Sequence, residues 1–143
     1  MESLDYRNKR VIFLGNSAGG YAAIIFGLLL KIDKVITFLP QTFFGPFKNT
    51  INRDFRWAKR QLKIYRKPKN PKHFLDLKKL LRKICFDGVS VEIYYGVNSV
   101  LDSKHYKNIR NFPFTFHLYP FGGHNLIKEL KKHGILKQIL NNL

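Results

Sequence analysis

Sulfur chemistry is almost absent from this sequence. Cys85 is the only cysteine in 143 residues, so no intramolecular disulfide and no multi-cysteine zinc site can form, and nothing argues for an oxidising compartment. Long apolar runs are missing too: the longest, Tyr21 to Leu30, is too short to span a bilayer. The opening Met1-Glu2-Ser3-Leu4-Asp5 has no basic-then-apolar leader pattern, so a soluble cytoplasmic protein without a transmembrane segment is expected. No Gly-Lys-Ser/Thr follows the glycine-rich stretch, which argues against a nucleotide P-loop. Zinc-finger, homeodomain and RNA-recognition signatures are also absent, as are internal repeats. What is present, 45% hydrophobic and 15% aromatic residues, is enough for one folded domain over residues 1–143.

Acidic residues are scarce: 9 Asp and Glu face 26 Lys and Arg, for a formal charge of +17. Fourteen of those 26 cations lie between Lys48 and Lys83, where only Asp54 and Asp76 oppose them. The charge therefore belongs mainly to one segment, which includes a basic insertion at about residues 41–72.

Around it the chain alternates strands and helices. Lys9 to Leu14 reads as a buried parallel strand, apolar on both faces. Ser17 to Lys31 reads as a helix with almost no polar face, hence buried on most sides. Lys34 to Leu39 is a second strand, stopped by Pro40. In the insertion Phe55, Ala58, Leu62 and Tyr65 recur at helical spacing until Pro68 and Pro71. A helix is expected from about His73 to Ile84, a turn at Asp87-Gly88, and a strand from Val89 to Tyr95. Ser103 to Arg110 reads as a short helix, Phe114 to Tyr119 as a fourth strand, and Asn125 to Leu140 as a closing helix interrupted near Gly134. Such alternation implies an α/β fold: a mostly parallel sheet of about four main strands with flanking helices, whose ligands sit at the carboxyl ends of the strands.

Chemistry concentrates at those ends. Gly15-Asn16-Ser17-Ala18-Gly19 places a serine between two glycines at a strand-to-helix turn, the setting of a nucleophile elbow, where neighbouring chain passes close. Asp102 follows a later strand and His124 follows the last, so Ser, Asp and His occur in that order. Each has a plainer alternative: Ser17 as helix cap or anion-binding loop, Asp102 as cap of the helix near Ser103, His124 as neighbour of a glycine turn. His105, three residues after Asp102, is the competing histidine. Asp87 precedes its strand and falls at the wrong end of the sheet, and His73, His117 and His133 have no comparable setting.

Taken together, Gly15-Asn16-Ser17-Ala18-Gly19-Gly20, Gly96-Val97-Asn98-Ser99-Val100-Leu101-Asp102 and Phe121-Gly122-Gly123-His124-Asn125 resemble the C-terminal half of an α/β-hydrolase, over roughly Arg10 to Leu140. The details are also similar to esterase-like or acyl-transferring members associated with bacterial surface glycans. The resemblance implies a serine hydrolase or acyltransferase acting on an ester, an acyl group on a carbohydrate being the expected kind. Ser17 would be the nucleophile, His124 the general base, and Asp102 the group orienting it. The backbone N–H of Ala18 would serve as oxyanion donor, with Gly15 and Gly19 as elbow glycines. No cofactor and no metal are implied.

The sequence departs from that family before the elbow, where only about ten residues replace several strands and the loop that supplies a second oxyanion donor. Losing one such donor costs about two to three powers of ten in rate. It also leaves Val11 to Leu14 as an apolar sheet edge, for which a homodimer or a separate N-terminal fragment is the expected cover. The basic insertion occupies the place of a lid. Arg53, Arg56, Lys59, Arg60, Lys63, Arg66 and Lys67, with Trp57 and Tyr65, are candidates for binding phosphate, an anionic glycan, a phospholipid or a nucleic-acid backbone. A non-catalytic remnant that binds an anionic partner through this segment is the competing function.

Overall fold

Residues 9–66 and 72–143 are described in the computed structural model. Their four strands, β1 (Ile12–Asn16), β2 (Lys34–Phe38), β3 (Ser90–Gly96) and β4 (Thr115–Tyr119), form one parallel sheet in chain order. The α/β class and the four-stranded parallel sheet agree with the sequence pattern. β1 starts later than Lys9 and runs through Gly15 and Asn16, residues of low strand propensity, because they pair with Thr37 and Phe38 of β2.

Burial follows position in the sheet. Val35, Ile36 and Phe38 of β2 and Ile93, Tyr94 and Tyr95 of β3 are all buried, so consecutive residues are covered on both faces. Helix α1 (Ala18–Leu29) lies on β1 and β2, and Gly27 lets it approach: a Cβ there would stand 2.3 Å from a Val35 methyl. Helix α5 (Val100–Ile109) lies against β3. Right-handed crossovers between neighbouring parallel strands set α1 and α5 on the same face of the sheet.

One expectation about α1 fails. Instead of being buried on most sides, it leaves Phe26, Leu29 and Leu30 more than half exposed, next to the equally exposed Leu14 of β1. The reason is that β1 is a rim strand. Among the described residues only β2 pairs with it, so the part of α1 overhanging the rim has nothing to pack on.

Between β2 and β3 lie α2 (Pro46–Asn52) and α3 (Ala58–Tyr65) of the insertion, then a 3-10 turn at Lys72–Leu75 and α4 (Leu77–Leu81). The single helix expected from His73 to Ile84 is divided at Asp76. That carboxylate accepts from the Lys78 N–H at 3.1 Å and caps α4, while its backbone forms an isolated antiparallel bridge with Phe43. Lys67, Pro68 and Pro71 lie outside the described residues. The closing helix breaks where expected, at Gly134 (φ 72°), into α6 (Leu126–Lys132) and α7 (Ile135–Asn141). Among the described residues no helix is long and apolar enough to cross a membrane.

Candidate active site

The turn between β1 and α1 is held in a conformation that L-residues avoid. Ser17 has φ 52° and ψ −117°, a placement that costs about 1–3 kcal/mol and persists only when its surroundings enforce it. They do so through the backbone. The Ser17 N–H donates to the Phe38 carbonyl (2.9 Å), and the Ser17 carbonyl accepts from Gln41 (3.1 Å) and Tyr21 (3.2 Å). A Cβ on Gly15 would lie 2.5 Å from the Gly19 carbonyl oxygen and 2.8 Å from the Gly20 Cα, so only glycine fits there. Gly19, expected as the second close-approach glycine, instead faces open space. Gly20 has that role, its missing Cβ 3.1 Å from Pro40. The Ser17 hydroxyl makes no capping bond, which removes the helix-cap reading. None of the described residues accepts from the Ala18 N–H at the start of α1.

Asp102 is not a helix cap either. Helix α5 begins at Val100, and Ser99 Oγ accepts from the Asp102 N–H (3.3 Å), placing Asp102 inside the first turn. Its carboxylate is 2% exposed, and Oδ1 lies 3.5 Å from His124 Nδ1. His124 reaches this position because the chain after β4 folds back over the end of β3. There Gly123 N–H donates to Asn98 Oδ1 (2.8 Å), and a Cβ on Gly96 would collide with Gly123 N at 2.5 Å. Gly122, at φ 84°, leads into α6 with its missing Cβ 2.8 Å from the Leu126 Cα. Asp102 and His124 are thus brought together, and Ser17 shares the same carboxyl edge of the sheet. Among the described residues no hydrogen bond joins Ser17 to His124.

Arg56 dominates the electrostatics of this edge. Its Nη1 donates to Asp102 Oδ1 at 2.9 Å and lies 3.4 Å from His124 Nδ1. Nε and Nη2 grip Asp54 at 3.0 and 2.8 Å. Arg56 is therefore turned inward, and among the described anion-binding candidates it is the one whose charge is already neutralised. Burial opposes its charge, but the bonds to Asp54 and Asp102 outweigh that and raise its pKa further. For Asp54, burial alone would raise the pKa; hydrogen bonds from His105 and Arg56 overcome it and hold the carboxyl well below the usual range.

Behind Asp54 stands His105, the competing histidine of the sequence. Its Nδ1 accepts from the Thr42 N–H (3.0 Å), which leaves Nε2–H to donate to Asp54 Oδ2 (3.1 Å). The ring is buried and stacked on Phe43, and burial lowers its pKa against the pull of Asp54. His105 is a neutral structural donor. Asp102 Oδ2, by contrast, is buried with no partner among the described residues.

Asp54 and His105 as a pair, and Arg56 as an inward bridge, are what sequence reasoning missed. A signal existed: Asp54 and Asp76 are the only acids in a strongly basic stretch, and both are buried and ion-paired, to Arg56 and Lys48 (2.7 Å) respectively. Arg53, Lys59, Arg60, Lys63 and Arg66 are exposed, whereas Lys67 lies outside the described residues. His117 stacks on Tyr94 and His133 lies against Phe121, away from this cluster. Among the described residues no group of three His, Cys, Asp or Glu is arranged to hold a metal ion.

The geometry can be set beside known structures. Capsule O-acetyltransferase of Neisseria meningitidis serogroup A superposes with a TM-score of 0.61 at 20% identity, over 90% of this chain and 54% of that one. A lipase-esterase related protein from Clostridium acetobutylicum gives 0.53 at 15%, over 99% and 70%. Acetyl xylan esterase 1 from Thermoanaerobacterium sp. gives 0.57 at 21%, over 96% and 47%. The fold is α/β-hydrolase-like. This chain spans about half the length of the acetyltransferase and of the xylan esterase. No family model matches the sequence, and no curated protein matches it.

Proposed function

We propose that this chain carries a serine esterase or acyltransferase site acting on an ester, with an acyl group on a carbohydrate as the preferred substrate class. The observation that carries the proposal is the approach of His124 to the buried Asp102 at the sheet edge where Ser17 sits in its strained turn. Two of the similar structures are named for acetyl groups, on a capsule and on xylan, which favours acetyl as the acyl group.

In this mechanism Ser17 Oγ attacks the ester carbonyl carbon while His124 takes its proton through Nε2. The Nδ1–H side of the ring faces Asp102, which fixes the tautomer and stabilises the imidazolium. The Ala18 N–H, at the positive end of α1, donates to the developing oxyanion. His124 then returns the proton to the departing alcohol, leaving an acyl-enzyme that water or an acceptor hydroxyl resolves. A fluorophosphonate probe is expected to label the wild type and not Ser17→Ala. Absence of labelling in folded wild-type protein removes the proposal.

A second reading, binding without chemistry, is favoured by one observation: Arg56 is closer to Asp102 Oδ1 than His124 is. It predicts that an anionic partner binds with steep salt dependence, survives Ser17→Ala, and is lost when the exposed cations of the insertion are neutralised. Under either reading we infer that a second copy of the chain or a separate N-terminal fragment covers the rim of β1, because among the described residues only β2 pairs with this apolar strand.

A further inference from the structure

The exposed cations of the insertion are not equivalent. Phe55, Arg56, Trp57, Ala58, Lys59 and Arg60 line a pocket of about 460 Å³ at the start of α3. Phe55 and Trp57 expose their rings, and the Arg60 guanidinium lies 5.7 Å from the Trp57 ring centroid. None of the described carboxylates pairs with Lys59 or Arg60. The nearest acid in sequence, Asp54, is held by Arg56 and His105, so the pocket keeps uncompensated positive charge. Its wall is also the site's wall: the Arg56 that lines it reaches Asp102 at 2.9 Å and His124 at 3.4 Å.

An aromatic face beside cations that no described carboxylate neutralises recognises a ring that carries an anionic group. The ring stacks on Trp57 while Lys59 and Arg60 form charge-assisted hydrogen bonds to the anion, and Arg's planar fork suits phosphate oxygens. We propose that this pocket is a subsite for the phosphate-bearing ring of a substrate of the serine site, resting on the esterase or acyltransferase reading above. The ring belongs either to a phosphorylated sugar or to the nucleotide portion of an acyl donor. Both present the same chemistry to Trp57, Lys59 and Arg60.

Trp57 is the sole tryptophan of the chain, so intrinsic fluorescence reports on the pocket directly. Ser17→Ala protein is titrated with glucose 6-phosphate, with adenosine 3′,5′-bisphosphate, and with their unphosphorylated counterparts glucose and adenosine. A saturable change with one phosphorylated probe and not with its neutral counterpart is expected, and which probe responds identifies the source of the ring. Lys59→Gln/Arg60→Gln should weaken it by about tenfold or more, the scale of a lost charge-assisted bond. Lys128→Gln/Lys131→Gln, two exposed lysines of α6, removes the same net charge elsewhere and should leave it unchanged. No saturable response to either phosphorylated probe, or equal weakening by both double variants, overturns the subsite. Because binding is read in Ser17→Ala, failure of the catalytic reading is recorded separately, as absent fluorophosphonate labelling of the wild type.

Discussion

Replacing Arg56 by methionine keeps most of the side-chain volume and removes three hydrogen bonds to two carboxylates that are 7% and 2% exposed. Breaking a buried ion pair typically costs about 3–5 kcal/mol, because the surviving charge has no water to return to. Asp54 would retain its bond from His105, so the lower end applies, and about 3 kcal/mol is expected at neutral pH. The sign of the pH dependence follows from Asp54. Its folded pKa lies below the unfolded value of about 3.9, so its stabilising contribution is complete above that value and is lost as pH falls through the folded one. Without Arg56 the depression shrinks, so the difference between the two proteins should be constant above about pH 4 and narrow as pH falls below it. Guanidinium unfolding of wild type and Arg56→Met at pH 7, 4 and 2.5 measures this. A difference under about 0.5 kcal/mol at pH 7, the scale of a surface substitution, would refute the claim that this cluster is a buried, charge-balanced unit. So would a large difference that does not change with pH.

Four further outcomes are expected. Ser17→Gly relieves the φ 52° placement and should raise stability by about 1 kcal/mol while abolishing fluorophosphonate labelling; thermal unfolding and labelling of one preparation check both. Gly15→Ala forces a Cβ into backbone and should lower stability by about 1–3 kcal/mol, whereas Gly19→Ala meets open space in a helix and should be neutral or slightly stabilising. His105, its pKa lowered by burial, should be mainly the neutral Nε2–H tautomer at pH 6.5 by nitrogen NMR, and stability should decline as pH falls below about 6.5 because the unfolded chain takes up that proton first; a predominant imidazolium at pH 6.5 would contradict the assigned bonds. Leu14→Lys/Phe26→Lys should reduce self-association in sedimentation velocity, and a wild type that stays monomeric at micromolar concentration rules out the second-copy cover for β1.

The sheet was legible because β2 and β3 are buried on both faces and therefore read as short continuous apolar runs between turn signals. The tight strand-to-helix turn was legible because the backbone's close approach at Gly15 leaves glycine as the sole choice, and such positions write themselves into sequence. Asp102 and His124 could be placed by their order after strand ends. The Asp54-Arg56-Asp102 bridge could not, since it joins the insertion to α5 across 46 positions and nothing local marks an arginine as turned inward. The same holds for His105, whose role is set by Thr42 and Asp54 rather than by its neighbours in sequence. The bare side of α1 was misjudged because its composition is that of a buried helix; exposure there is decided by how many strands lie beyond β1, which composition does not encode.

That rim strand has a mechanical consequence. Among the described residues β1 is gripped along one side, by β2, and Ser17 follows its end, so the strained turn is mounted like a cantilever. Of its anchors, Phe38 and Gln41 stand on one side, at the end of β2 and just beyond it, and Tyr21 holds it from within α1. Whatever clamps the free side of β1 therefore stiffens the turn without touching the serine, and amide exchange along β1 should slow when it does.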